Sequence, residues 1–303
     1  MVFLAEHFVR APQCTWYILF YFFFAGLAGG AYVLGTLLRL SGDPRDEHAS
    51  KLGYYVALPA LVLCPILLTA DLGASWSRFW HMLIDVTPGE TSPILHYWSP
   101  MSTGAWALLI FGVFAFVSAA DAWLADRRGA PLLPPAVGRV IGIAGSLFAL
   151  FIASYTGVLL SVSNQPVWSD TWTLGGLFLA SGLSGAAALI TLLVRYRSEA
   201  VVSLARLRVA DGYFSILELV LLVAFFITVA LAGEATRIVS WFPLWIVALV
   251  GIVASLLGVR RPARAPVTGE TAAAPLAIEA TVVSVLVLVA VLAMRAAVIF
   301  SAQ

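Results

Sequence analysis

The chain has little charge. Only 11% of its 303 residues are Asp, Glu, Lys or Arg, and the formal net charge is +1. That balance leaves no basic surface of the kind that nucleic acid requires. Cysteine is scarcer still, with two residues. Cys14 precedes the first apolar run and Cys64 lies in the middle of the second, so a disulfide between such different depths is not expected. No CxxC or HExxH spacing is present, and no metal site is expected. The four histidines, His7, His48, His81 and His96, all fall in termini or connecting segments. A membrane-embedded haem held by two axial histidines is therefore excluded from the expectations. What the chain has in abundance is apolar surface. It is 61% hydrophobic with a mean hydropathy of +0.98, and its apolar runs of about 20 residues are those of membrane helices.

Eight spans can be drawn, roughly 16–40, 52–75, 100–123, 137–161, 172–194, 213–232, 239–258 and 277–300, which gives an all-α integral membrane protein with one domain over residues 1–303. The first run is too long for a signal-peptide core and lacks a basic start, so it reads as a retained helix. Ser99-Pro100 reads as a helix start, and Pro59 and Pro65 fall inside the second helix. Gly26 and Gly30 form a GxxxG pattern, read as close helix packing rather than ligand contact. Thirteen Lys and Arg residues sit in alternate connections, around 39–51, 124–139, 195–212 and 259–276, against Arg10, Arg78, Arg237 and Arg295 on the other side. The positive-inside rule then places both termini outside the cytoplasm.

The stretch Leu67–Trp98 organises the functional reading. It sets Asp71 near the end of an apolar helix and follows it with Trp76, Arg78, Trp80, His81, Glu90, His96 and Trp98. An acid under a membrane surface is costly unless it faces a bundle interior, a partner or a ligand. Counted from the outer helix ends, Tyr21, Asp71 and Tyr155 all fall about 6–9 Å deep at 1.5 Å per residue. Three proton-capable groups on three helices suit a quinone head group, which needs hydrogen-bond partners for two oxygens and a route for two protons. Asp121, Glu218 and Glu279 lie toward the cytoplasmic helix ends, where a proton path could enter.

Phe24-Ala25-Gly26-Leu27-Ala28-Gly29-Gly30 resembles the first-helix signature of the polysulfide-reductase membrane-subunit family, often termed NrfD-like. The resemblance continues in order through Asp71, Arg78-Phe79, Thr91-Ser92-Pro93-Ile94, Ser154-Tyr155 and Asn164-x-Pro166-x-Trp168. It implies an eight-helix, haem-free subunit that exchanges electrons between menaquinone or ubiquinone and a four-cluster iron–sulfur protein, itself serving a molybdopterin catalytic subunit. It places the quinone site on Tyr21, Asp71 and Tyr155, where Tyr21 replaces a histidine of the polysulfide reductase subunit and Ile18 replaces an asparagine one turn earlier.

The resulting expectation is a quinone-binding membrane subunit of a respiratory complex in a bacterial or archaeal cytoplasmic membrane. Asp71 would exchange protons and Tyr155 would bond a quinone oxygen. Arg78 and His81 would orient the loop or tune Asp71. An iron–sulfur partner would dock outside on the loops 76–99 and 162–171, with Glu90, His96, Asn164 and Trp168 at the contact. The alternatives are a proton-translocating module of such a complex or a secondary transporter, the latter lacking the internal symmetry that fold needs.

Overall fold

The computed structural model describes residues 14–73, 76–89, 92–194, 201–260 and 273–303. The helices in chain order are α1 (Trp16–Leu40), α2 (Glu47–Asp71), α3 (Pro100–Arg128), α4 (Pro135–Ser161), α5 (Leu174–Val194), α6 (Val201–Leu231), a short α7 (Ala235–Val239), α8 (Phe242–Arg260) and α9 (Ala273–Ser301). Single 3₁₀ turns at Pro44–Asp46 and Trp76–Met82 complete the regular structure, and no strand occurs among the described residues. Among the described residues, seven helices are long and apolar enough to cross a membrane, and α8 contributes a shorter apolar one, Phe242–Gly258. The end of the bundle where α1 starts is its upper end, and the opposite end is its lower.

The chain divides into α1–α4 and α5–α9, with α1 and α5 at the seam. Both are buried along most of their length. The reason is glycine. A methyl group on Gly30 would lie 2.5 Å from the Gly182 carbonyl oxygen of α5, so only a bare backbone permits this approach. The GxxxG pattern is thus a packing surface, and Gly26 also faces Arg295 of α9. α1 packs further against α2, α4 and α9.

Two of the helix boundaries that differ from the sequence expectation bear on the site residues. α2 ends at Asp71 because Gly73 takes a left-handed conformation (φ +63°), after the Leu72 amide has closed onto the Leu68 carbonyl. The hydropathy run continues past that stop and hides it. α6 begins at Val201, twelve residues before the expected 213. Arg206, Arg208 and Asp211 read as loop residues but ride on a continuous helix. Its start is tied down at the lower end, where the buried Asp46 carboxylate accepts from Ser41, Ser203 and Arg206.

The residue before the α1 cap and the C-terminal residue meet at the upper end: the Gln303 side-chain amide donates to the Cys14 carbonyl at 3.0 Å. Arg39, Arg45, Lys51, Arg127 and Arg128 gather at the lower end. Arg295, expected on the outer side with the connecting segments, is instead fully buried within α9.

Candidate functional site

The upper end of the first half holds the expected residues, but at two levels. Asp71 is the last residue of α2, half-buried at the rim. Its carboxylate accepts from the Thr15 hydroxyl at 2.6 Å. Thr15 is the N-cap of α1 and also receives the Tyr17 amide. The acid therefore sits at the unfavourable end of its own helix dipole but against the favourable, positive end of α1. Cys14 lies beside it, and burial first, then the Asp71 charge, raises its thiol pKa. The expected depth of about four residues is corrected by the early stop at Gly73.

One level deeper, about 9 Å down α1 at six residues from Thr15, Tyr21 is buried, with Cys64 of α2 and Tyr155 of α4 as its titratable neighbours. The Tyr21 hydroxyl makes no hydrogen bond among the described residues. Tyr155 is engaged: its hydroxyl donates to the Pro100 carbonyl at 2.7 Å, in the first turn of α3. Gly104 makes room for its ring, and Phe151 stacks on it at 5.7 Å. The Tyr155 oxygen retains only acceptor capacity.

Above this layer, the loop from 76 to 99 is pinned by a backbone clasp. Asp85 donates to Ser92, Ile94 donates to Leu83, and the Trp106 indole of α3 holds the Ile94 carbonyl at 2.8 Å. Hydrogen bonds from Thr87 hold the exposed Asp85 carboxyl below its ordinary range. Arg78 and His81 project from the 3₁₀ turn and are exposed. Among the described residues no ion pair joins Arg78 to Asp71, so the acid's partner is Thr15. His81 meets Trp80 edge-on at 4.5 Å, and His96 lies 5.0 Å from Trp98. Trp76, Phe79, Tyr97, Trp98 and Trp172 are all more than half exposed on this face. Glu90 lies outside the described residues.

In the second loop, Asn164 is exposed with φ +51°. Trp168 is not on the surface. It is buried, and its indole donates to the Val298 carbonyl of α9 at 2.7 Å. It positions the loop rather than offering a contact. Val167 next to it holds φ +71°, a costly conformation for a β-branched residue, secured by its amide donating to Asp170 at 2.8 Å.

The acids assigned to a proton path separate. Asp121 is buried and fully used: Arg39 donates to one oxygen and the Leu133 amide to the other, both at 2.9 Å. It ties the α3–α4 connection to α1. Glu218 lies mid-way along α6, buried. The Glu279 side chain lies outside the described residues. Sequence reasoning missed Thr15, Asp211 and Arg295. The i, i+4, i+7 spacing of Asp211, Ser215 and Glu218 is the available signal for the second of these.

A cavity of about 760 Å³ opens elsewhere at the upper end, between α1, α8 and α9, and is lined by Trp16, Trp241, Leu244, Leu292 and Phe300 among others. It is apolar, and none of the expected site residues line it. No group of three or more His, Cys, Asp and Glu that could hold a metal ion occurs among the described residues.

Comparison with known proteins decides the family. The model of the family described as polysulphide reductase, NrfD matches residues 8–303. The chain belongs to the NrfD family. Protein NrfD of Escherichia coli K12 is 27% identical over 279 residues, covering 80% of this chain and 83% of that protein. A subunit of the selenate reductase of Mesobacillus selenatarsenatis is 26% identical over 112 residues, covering 37% of this chain and 23% of that protein. The chain thus matches less than a quarter of the selenate reductase protein. An NrfD-family chain with this many apolar helices is a multi-pass membrane subunit of an oxidoreductase complex.

Proposed function

We propose that this NrfD-family chain binds a quinone in the upper half of the α1–α4 bundle and passes electrons between it and an iron–sulfur subunit docked on the aromatic upper face. A molybdopterin subunit would complete the complex. The observation that carries the reading is Tyr21, a buried side chain whose hydroxyl bonds none of the described residues, set beside Tyr155 and below Asp71. Hydroxyls inside a bundle are ordinarily hydrogen-bonded, and a quinone carbonyl would supply an acceptor here. In this reading Tyr21 takes over the role expected of Tyr155 as donor, and Tyr155 accepts from the reduced, hydroxyl form of the ring. Asp71, at the rim, receives protons from the quinol and releases them to water. The quinone supplies the two-electron chemistry; the chain holds its head group and moves its protons. The exposed tryptophans and His96 form the docking face, and the start of α1 and the C-terminus share its side of the membrane.

Asp71→Asn tests the proton role. The amide oxygen still accepts from Thr15, so assembly with the partner should survive. Quinone-dependent turnover per assembled complex should fall by about 10²–10⁴, the usual contribution of general acid–base catalysis. Normal turnover in an assembled Asp71→Asn complex would show that the acid only fastens α2 to α1.

A further inference from the structure

The apolar cavity of about 760 Å³ beside α9 has no part in the quinone reading. Its floor is one face of α9, formed by Phe300, Ala296, Ala293 and Val289. Leu19 of α1 stands on one side and Leu244 and Val247 of α8 on the other. The two alanines hollow the floor, since longer side chains there would fill the space between the walls. Three rings frame the upper mouth. Phe300 meets Trp16 edge-on at 5.3 Å and Trp241 at 5.4 Å. The indole N–H groups of Trp16 and Trp241 bond none of the described residues. The Ser240 hydroxyl beside them already donates to the Thr236 carbonyl at 3.0 Å.

Length decides what this cavity can hold. From Phe300 to Val289 the floor descends eleven residues of α9, about 16 Å at 1.5 Å per residue. The hydrocarbon core of a bilayer is about 30 Å thick, so the floor is one leaflet deep. It starts at the level of the tryptophans, which favour the membrane border, and ends near the midplane. The lower end is open: Val289 is 49% exposed and Val247 37%. The same face of α9 continues downward through the exposed Val285 and Val282. In a membrane bundle an exposed apolar face is covered by lipid, and the cavity is a recess continuous with that face. Its occupant is therefore apolar over the depth of one leaflet and polar at one end, where the two indoles can donate.

Two other occupants fit less well. A helix is about 10–12 Å across with its side chains, too wide for a mouth whose two indoles both lie within 5.5 Å of one phenyl ring. The tail of a quinone held at Tyr21 would have to pass around α1. Leu19 lines the cavity, and Tyr21, two residues on, projects from the other side of the helix, about 200° away at 3.6 residues per turn. We propose that the cavity binds one acyl chain of an upper-leaflet phospholipid, with the lipid head group at Trp16 and Trp241. The lipid is a fixed part of the subunit rather than one of the exchanging molecules around it. Its chain fills the gap that α1 and α8 leave over α9 and supplies the close packing that side chains supply elsewhere in the bundle. This site stands apart from Tyr21, Asp71 and Tyr155, and its assignment does not depend on quinone binding.

A phospholipid with a photoreactive diazirine near the end of one acyl chain tests it on the purified full chain in detergent, with the adducts mapped by mass spectrometry. Labelling should concentrate on Val289, Leu292 and Val247. It should persist through a detergent wash that removes lipid from the exposed face of α6 at Val220 and Val223. Unlabelled phospholipid should compete it away, and menaquinone at the same concentration should not. Val247→Trp puts a large ring into the half-exposed wall. It should cut labelling of the cavity about tenfold, the effect of a modest steric penalty, and leave labelling of α6 unchanged. The proposal is overturned by label spread evenly over the cavity and α6 and lost alike on washing, which is a bulk lipid coat only. It is overturned by displacement with menaquinone but not with phospholipid, or by cavity labelling undiminished in Val247→Trp. The wash and the competition are read on the unsubstituted chain, so the proposal can fail even if the variant does not accumulate. None of these outcomes bears on quinone turnover, so the two readings fail separately.

Discussion

Tyr21 and Tyr155 carry the same phenol but different obligations. Tyr155 spends its proton on the Pro100 carbonyl, while Tyr21 has no acceptor inside the described chain. The two Tyr→Phe substitutions should therefore separate cleanly. Tyr155→Phe should lower thermal stability, since a lost buried hydrogen bond costs about 0.5–1.5 kcal/mol, and change quinone affinity little. Tyr21→Phe should leave the melting temperature near its original value and weaken quinone binding several-fold. Melting curves and quinone titrations on both variants check this, and the reverse pattern would move the donor role back to Tyr155.

At the scale of elements, the apolar runs are legible because each helix carries its own hydropathy, and α1, α3, α4 and α9 begin within four residues of the sequence reading. Two ends are not. Hydropathy does not register the left-handed turn at Gly73, so it sets Asp71 a turn too deep. Charge reads as loop at Arg206 and Asp211, although the buried Asp46 carboxylate and the serines Ser184, Ser215 and Ser255 make both residues at home in α6. Trp168 reads as a surface residue because tryptophan favours membrane borders. Its acceptor, Val298, lies 130 residues away, and no local pattern announces such a bond. The glycines offer a test of the seam. Gly30→Ala should destabilise by about 1–3 kcal/mol through overpacking, because its methyl group collides with the α5 backbone. Gly112→Ala in α3, where nothing lies within 4 Å, should be neutral or slightly stabilising. Detergent melting temperatures of the pair would show equal effects only if α1 and α5 can move apart.

For the whole molecule, the Gln303–Cys14 contact brings the start of α1 and the C-terminus to the face that bears the exposed tryptophans. With the basic residues gathered at the other end, the positive-inside rule leads us to propose that this face lies outside the cytoplasm. A single cysteine at position 303, in a background of Cys14→Ser and Cys64→Ala, should react with a membrane-impermeant reagent in intact cells. Labelling only after the membrane is opened would invert the molecule and put the partner on the cytoplasmic side.

Arg295 also bears on how the chain is made. α9 leaves the ribosome after α1 and α5, which supply the Gly26 gap and the Phe178 carbonyl that its arginine needs. Even at a helix centre an arginine costs only about 2.5–3.5 kcal/mol on insertion, and Arg295 lies six residues from the end of α9, so the other apolar residues outweigh the penalty and the helix can enter the bilayer by itself. It cannot rest there comfortably. A newly made subunit whose second half has not closed shows an unpaired arginine to lipid and to the proteases that patrol the membrane; closure hides it. That one side chain would thus mark each copy as unfinished or complete before any partner arrives.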